Sequence, residues 1–379
     1  MKSKLLGSKE SYIDYSMIFI ILFLLAFGLV MLYSTSSYEA NLDFGDSAYY
    51  FKHQLVLTVA GLVGMIAMSY FPYRIWEKLS FIIYLFSAGL LLLIIPFGKT
   101  INGAKRWLII MGVSIQPAEV AKVATIILTA TMIIKLRKNL MTLKGFATAL
   151  AFPMVLAGMV YGITKNLSSA VIIMGIAVVM LFVSTPGYRR YILCAVAVLG
   201  LAAALVVIIV NSDQTSGMNY RFERVLAWLD PKGHASGKGF QTLQALYAIG
   251  SGGVFGKGLG ESMQKMGFIP EAQNDMIFSI ICEELGLFGA IAVMLMFLLL
   301  IWRLMIIANN APDLFGALLV IGVMGHVSIQ VILNIAVVTN TIPNTGITLP
   351  FISYGGSAVV IQLAEIGMAL NVARNIGRE

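Results

Sequence analysis

Apolar residues along this chain come in nearly unbroken runs of about twenty, separated by short polar connections, not in the alternating pattern of a soluble amphipathic helix or a half-buried strand. Runs of that length match the hydrocarbon thickness of a bilayer crossed by an α-helix. They predict spans near 15–35, 54–71, 79–97, 113–134, 146–163, 168–185, 190–210, 276–301, 314–338 and 349–372. The first run, Tyr15 to Ser34, is span-length and lacks a small-residue cleavage pattern after it, so it is expected to stay as the first helix.

One connection, about 211–275, is long. Within it Tyr220–Leu229 places apolar residues at 222, 225, 226 and 229 with charges between them, which predicts an amphipathic helix lying along a surface. Asp230-Pro231 stops it, and Phe240 to Ile249 predicts a second short helix. The glycine-rich run Gly250–Gly260 follows. It is not a Walker A loop, because Ser251 and Gly258 stand where that motif needs Gly and Ser/Thr. Two readings stay open: glycines that permit tight turns and close packing, or exposed amides that, with Lys257 and Lys265, cradle a diphosphate.

Composition agrees with the spans. Apolar residues make up 59% of the 379 residues and charged residues 12%, with mean hydropathy +0.89. These values predict an all-α polytopic membrane protein of about ten transmembrane helices, with 1–379 a single integral membrane domain and 211–275 a large extracytoplasmic loop. No nucleic-acid partner is expected. The termini and even-numbered connections hold most of the Lys and Arg, among them Lys2, Lys4, Lys9, Arg74, Lys78, Lys135, Arg137, Lys138, Arg189, Arg190, Arg303 and Arg374. The positive-inside rule therefore makes both termini cytoplasmic. Cys194 and Cys282 lie in apolar stretches without metal-ligand spacing, and no metal site is expected from the residues.

Ionisable groups in or beside membrane spans are costly and point to function. Asp275 stands at the lip of the eighth span, followed by Glu283 and Glu284. On a helix Glu283 lies about 80° around from Asp275 and about 12 Å along, so the two border one cavity without touching; Glu284 faces the other way, toward a structural partner. Glu365 on the tenth span is a further acid whose partner the sequence does not name. His326, Gln330 and Asn334 recur every four residues on the ninth span and read as an interhelical hydrogen-bonding stripe. Pro117 suits a helix start, and Glu119 and Lys122 share a face beyond it. That pair either neutralises itself inside the bundle or, with Arg106, handles a substrate phosphate.

Six segments carry a family resemblance: Tyr33-Ser-Thr-Ser36, Asn102–Leu108, Gln116–Lys122, Gln244–Gly260, Pro270–Phe278 and Asn344–Ser357. On them the chain resembles the SEDS family of bacterial envelope proteins, its cell-division branch more than its elongation branch, with sporulation relatives close by. The resemblance implies a GT-C-like fold in the bacterial cell membrane and a peptidoglycan glycosyltransferase that polymerises lipid II. It implies a class B penicillin-binding protein as transpeptidase partner, with other divisome membrane proteins. It makes Asp275 the catalytic base, puts Trp107 and Glu283 on required positions, and links Arg106, Glu119 and Lys122 to substrate, with Lys257 and Lys265 as further candidates for the diphosphate. A divalent cation, Mg or Mn, is compatible with such a leaving group, although the chain offers no dedicated ligand cluster. Departures from the family pattern are Thr164–Ala170, which has no acid, and Gln273 and Asn274 beside Asp275. A lipid II transporter and a scaffold without chemistry are the competing classes.

Overall fold

The computed structural model describes residues 14–376 apart from 102–103, 111–112, 212–219, 236 and 238. It is a helical bundle. Among the described residues nine helices are long and apolar enough to cross a membrane: α1 Tyr15–Phe44, α2 Tyr49–Tyr70, α3 Arg74–Phe97, α4 Pro117–Lys135, α5 Leu143–Thr164, α6 Leu167–Ser184, α10 Ile277–Asn309, α11 Leu314–Val338 and α12 Ser357–Arg374. α7, Arg189–Asn211, covers the remaining predicted span as a helix. The two short helices expected in the long connection are α8, Tyr220–Leu229, and α9, Gly239–Gly252.

Several boundaries differ from expectation: α1 runs on to Phe44 and α10 to Asn309, α2 and α3 start earlier, and two starts move later. The fourth span, predicted from 113, starts at Pro117, because 99–115 folds as a small antiparallel sheet of β1 Lys99–Ile101, β2 Ala104–Ile110 and β3 Val113–Ile115. Pro117, which lacks an N–H, occupies the first turn of α4. The tenth span, predicted from 349, starts at Ser357, since the backbone before it takes positive φ at Gly346, Phe351 and Gly356 and cannot be helical there.

Helices α4 and α12 are the most buried, while α2, α3 and α5 keep apolar faces outward. The long helix α10 is broken. At Gly286 φ is +67°, and the amides of Leu287 and Phe288, which in a continuous helix would donate to Glu283 and Glu284, donate instead to Gly253 O (2.9 Å) and Val254 O (3.1 Å). The vacated Glu283 and Glu284 carbonyls accept from Lys257 N (2.9 Å) and Gly258 N (3.0 Å). These four backbone groups thus find partners in the glycine-rich run, the condition for irregular backbone at membrane depth. A side chain at Gly256 has no room: its Cβ would lie 2.1 Å from Glu284 O. The packing reading of this run therefore prevails, and the amides of Gly256, Lys257 and Gly258 are spent on backbone carbonyls and not on a diphosphate.

Candidate active site

The site assembles where the start of α10 meets the connection between α11 and α12. Three of the four non-glycine residues with positive φ among the described residues lie in these facing segments, Glu271 (51°), Asn340 (57°) and Phe351 (63°). Such strain persists only where surrounding structure over-determines it. Asn334, fully buried on α11, donates from Nδ2 to both Asp275 O (2.8 Å) and Ile347 O (2.7 Å). One amide thus clamps the two segments together. Tyr354 N donates to Gln273 O (2.9 Å), closing the same seam farther along.

Asp275 precedes the first helical turn. Its Oδ2 lies 3.8 Å from where a Cβ on Gly346 would stand, so the connection approaches the carboxylate closely with bare backbone. The side chain is partly buried. Burial pushes its pKa up to about 6; Glu271 adds to the rise, and the Asp275 backbone N–H and Arg224 work against it. A carboxyl poised there is ionised at neutral pH yet a stronger base than an exposed aspartate.

The connection gathers other elements around it. Ser168 Oγ donates to Thr345 O (2.7 Å), Arg224 Nη1 to Asn344 O (3.0 Å) and Gln330 Nε2 to Thr348 O (3.0 Å). Gln116 N, at the head of α4, donates to Ser357 Oγ (3.3 Å). The expected polar stripe on α11 therefore does more than join helices: Asn334 and Gln330 hold the connection, and His326 Nδ1 meets Glu365 Oε2 at 2.7 Å, giving that acid its partner.

The remaining predicted residues are dispersed. Glu119 and Lys122 pair with each other at 2.7 Å, 5% and 2% exposed, inside the bundle; the second Glu119 oxygen, Oε2, has no hydrogen-bond partner. Arg106 and Trp107 are neighbours on β2, so their side chains point to opposite faces of the strand. Arg106 Nε donates to Thr164 O (3.2 Å). Glu283 does not look toward Asp275 for its contacts. It is fully buried and takes Lys257 Nζ (2.7 Å), Ser262 Oγ (2.5 Å) and the amides of Met263 and Gln264. Glu284 pairs with Lys265 (2.7 Å) and accepts from Ser34, the structural partners expected of it. Of the two lysines expected at a diphosphate, Lys265 is 6% exposed and paired with Glu284, and Lys257 is paired with Glu283, each tying its own segment to α10. Sequence reasoning passed over Arg224 and gave the 344–356 connection no role of its own; positive-φ glycines beside Pro350 were the available signal.

Among the described residues no three His, Cys, Asp or Glu side chains converge on a metal-sized point. The residues present thus do not fit a protein-held divalent cation, and no step below passes through one.

A model of cell cycle proteins that groups FtsW, RodA and SpoVE matches residues 15–377. The chain belongs to that family. It is 37% identical to stage V sporulation protein E of Bacillus subtilis (strain 168) over 97% of this chain and 98% of the relative. It is 40% identical to the probable peptidoglycan glycosyltransferase FtsW of Geobacter metallireducens over 92% of each. A chain from a solved peptidoglycan synthase complex that coordinates polymerization with crosslinking superposes with TM-score 0.78 at 27% identity, covering 97% of this chain and 99% of that one. The rod shape determining protein RodA of Thermus thermophilus shares the fold, with TM-score 0.69 at 24% identity over 97% and 98% of the two chains.

Proposed function

We propose that this protein is a peptidoglycan glycosyltransferase that polymerises lipid II in the bacterial cell membrane, with both termini cytoplasmic and the Asp275 end of α10 outside. The observation that carries the reading is Asp275 itself: a partly buried carboxyl with pKa about 6, fixed by the Asn334 clamp and facing glycine backbone. The named activity of the FtsW relatives supports it.

In this mechanism the acceptor N-acetylglucosamine presents its 4-hydroxyl to Asp275. The carboxylate takes the hydroxyl proton as the oxygen bonds to the anomeric carbon of the donor N-acetylmuramic acid. The bond from that carbon to undecaprenyl diphosphate breaks on the opposite face, the diphosphate leaving with the electron pair, so the centre inverts. General-base assistance contributes about 10²–10⁴-fold, and positioning supplies much of the rest. A bare-backbone wall at Gly346 leaves room for a sugar ring beside the base. Lys122, locked to Glu119 in the bundle, keeps its expected role only by acting at longer range through that pair. The partner is a class B penicillin-binding protein, the arrangement suggested by the synthase complex that shares the fold. Within the family we assign the chain to septal synthesis, and a fluorescent fusion that marks the side wall or the forespore instead of the septum contradicts that assignment.

The test is polymerisation of lipid II by purified protein. Wild type forms glycan strands and Asp275→Ala forms none. If neither polymerises while reconstituted vesicles move lipid II between leaflets, the transporter class replaces this one.

A further inference from the structure

Between α8, α9 and the α11–α12 connection lies a cavity of about 210 Å³ walled by Arg224, Trp228, Phe240, Gln241, Pro270 and Asn344. Its lining is linked to Asp275 through chain neighbours and through charge. Pro270 is five residues upstream of that acid, and Asn344 is two residues before Gly346, the glycine that faces its carboxylate. Arg224 is near enough for its charge to act on Asp275.

The wall is fixed by hydrogen bonds. Arg224 Nη1 donates to Asn344 O (3.0 Å), Asn344 Nδ2 to Gln241 Oε1 (2.9 Å) and Gln241 Nε2 to Pro270 O (3.2 Å). Trp228 is held from both ends, its indole N–H donating to Asn340 O (3.0 Å) while Asn340 Nδ2 donates to Trp228 O (3.2 Å). A pocket whose polar groups already sit in place loses little freedom when a ligand enters. Its volume of about 210 Å³ has room for a small ring. Its chemistry is mixed in the way a sugar needs: two aromatic side chains for the apolar face of a pyranose, amides for its hydroxyls, and a guanidinium whose fork matches a phosphate or carboxylate.

We propose that this cavity is a saccharide subsite that holds one hexose ring against its aromatic wall, with Arg224 directed at an anionic substituent, phosphate or carboxylate, on that sugar. The proposal deepens the glycosyltransferase reading and rests on it for the identity of the neighbouring base.

The test uses the full chain purified in detergent and saturation-transfer NMR on three probes: N-acetylglucosamine 1-phosphate, N-acetylmuramic acid and neutral diacetylchitobiose. The acidic sugars are expected to bind about tenfold tighter than the neutral one, the worth of one hydrogen bond to a charged group. Preference for the phosphate over the carboxylate probe, or the reverse, identifies which substituent Arg224 receives. Arg224→Gln should erase that acid preference while leaving weak binding of chitobiose, and Trp228→Ala should weaken all three probes. Arg224→Lys, which keeps the charge and loses the fork, should retain part of the preference and guards against a folding defect in Arg224→Gln. Absence of binding by any probe, or affinities that ignore both Arg224→Gln and Trp228→Ala, overturns the proposal. Lipid II polymerisation by wild type and Asp275→Asn is measured alongside. If Asp275→Asn polymerises normally, the reading of the base fails and the cavity is judged on the binding data alone. If polymerisation needs Asp275 but the probes ignore the cavity residues, the subsite fails and the glycosyltransferase reading stands.

Discussion

Replacing Asp275 by Asn removes a charge the fold holds at a loss, so it should stabilise the protein while abolishing its chemistry. In the unfolded chain the carboxyl has its ordinary value of 3.8, and in the fold burial raises it to about 6. A raised carboxyl binds its proton more tightly when folded, so ionisation opposes folding. That penalty is absent below the unfolded value, grows between the two, and is complete above the folded one. A gap of about two units corresponds to about 3 kcal/mol at neutral pH. Asparagine keeps the shape and drops the charge, and it should recover about 1–3 kcal/mol of this. Thermal unfolding in one detergent, followed at several pH values from 4 to 8, measures the difference between Asp275→Asn and wild type. The gain should be largest at pH 8 and vanish near pH 4. Polymerisation should be lost in Asp275→Asn throughout, and in wild type it should fall about tenfold per unit as pH drops below about 6. A stability gain equal at both ends of the range, or none at pH 8, refutes the claim that burial sets the basicity of Asp275.

The clamp at Asn334 makes a second prediction: Asn334→Ala frees two backbone carbonyls and lets the base drift, so turnover should fall about 10²-fold with the protein still folded, whereas KM changes little. Glu284→Ala leaves Lys265 buried without its partner and should cost about 3–5 kcal/mol; the paired change Glu284→Gln with Lys265→Met should recover most of that, as read by thermal unfolding. Gly256→Ala puts a Cβ 2.1 Å from Glu284 O at φ +78°, and it should destabilise by more than the roughly 1–2 kcal/mol of the left-handed backbone alone. Equal melting of Gly256→Ala and wild type would show that the break in α10 is not stitched by that loop.

Spans, short surface helices and the acid at the lip of α10 were legible because each leaves a local signature: a hydrophobic run, a helical spacing, a charge where charge is costly. The sheet at 99–115 was not, since its short strands leave no such signature, and 113–115 merged with the apolar run of the fourth span. Residues 349–356 of the α11–α12 connection were likewise folded into the tenth span, their apolar residues outweighing Pro350 and the paired glycines. The stripe at 326, 330 and 334 was visible as a stripe. Its most consequential member was not: that Asn334 reaches Asp275 O across 59 positions of sequence is a tertiary fact with no local trace. Beside glycines the lysines at 257 and 265 read as an anion cradle; that both pair with acids on α10 is again a tertiary fact without local trace.

Pairing sorts the acids. An acid fastened to a cation shares its charge with that partner, and moving a proton onto the paired oxygen means breaking the pair first. Glu119 is held by Lys122, Glu283 by Lys257, Glu284 by Lys265, and Glu365 meets His326. The last three pairs fix separate segments to one another, while Glu119 and Lys122 pair within α4. Asp275 forms no ion pair among the described residues, and burial is the largest influence on it. Its position is fixed through its backbone by Asn334, so the carboxylate is held in place without being tied up. A base needs both conditions: a fixed location relative to the hydroxyl and an oxygen free to take the proton. Of the five acids just compared, Asp275 alone is held through its backbone while its carboxylate enters no ion pair among the described residues.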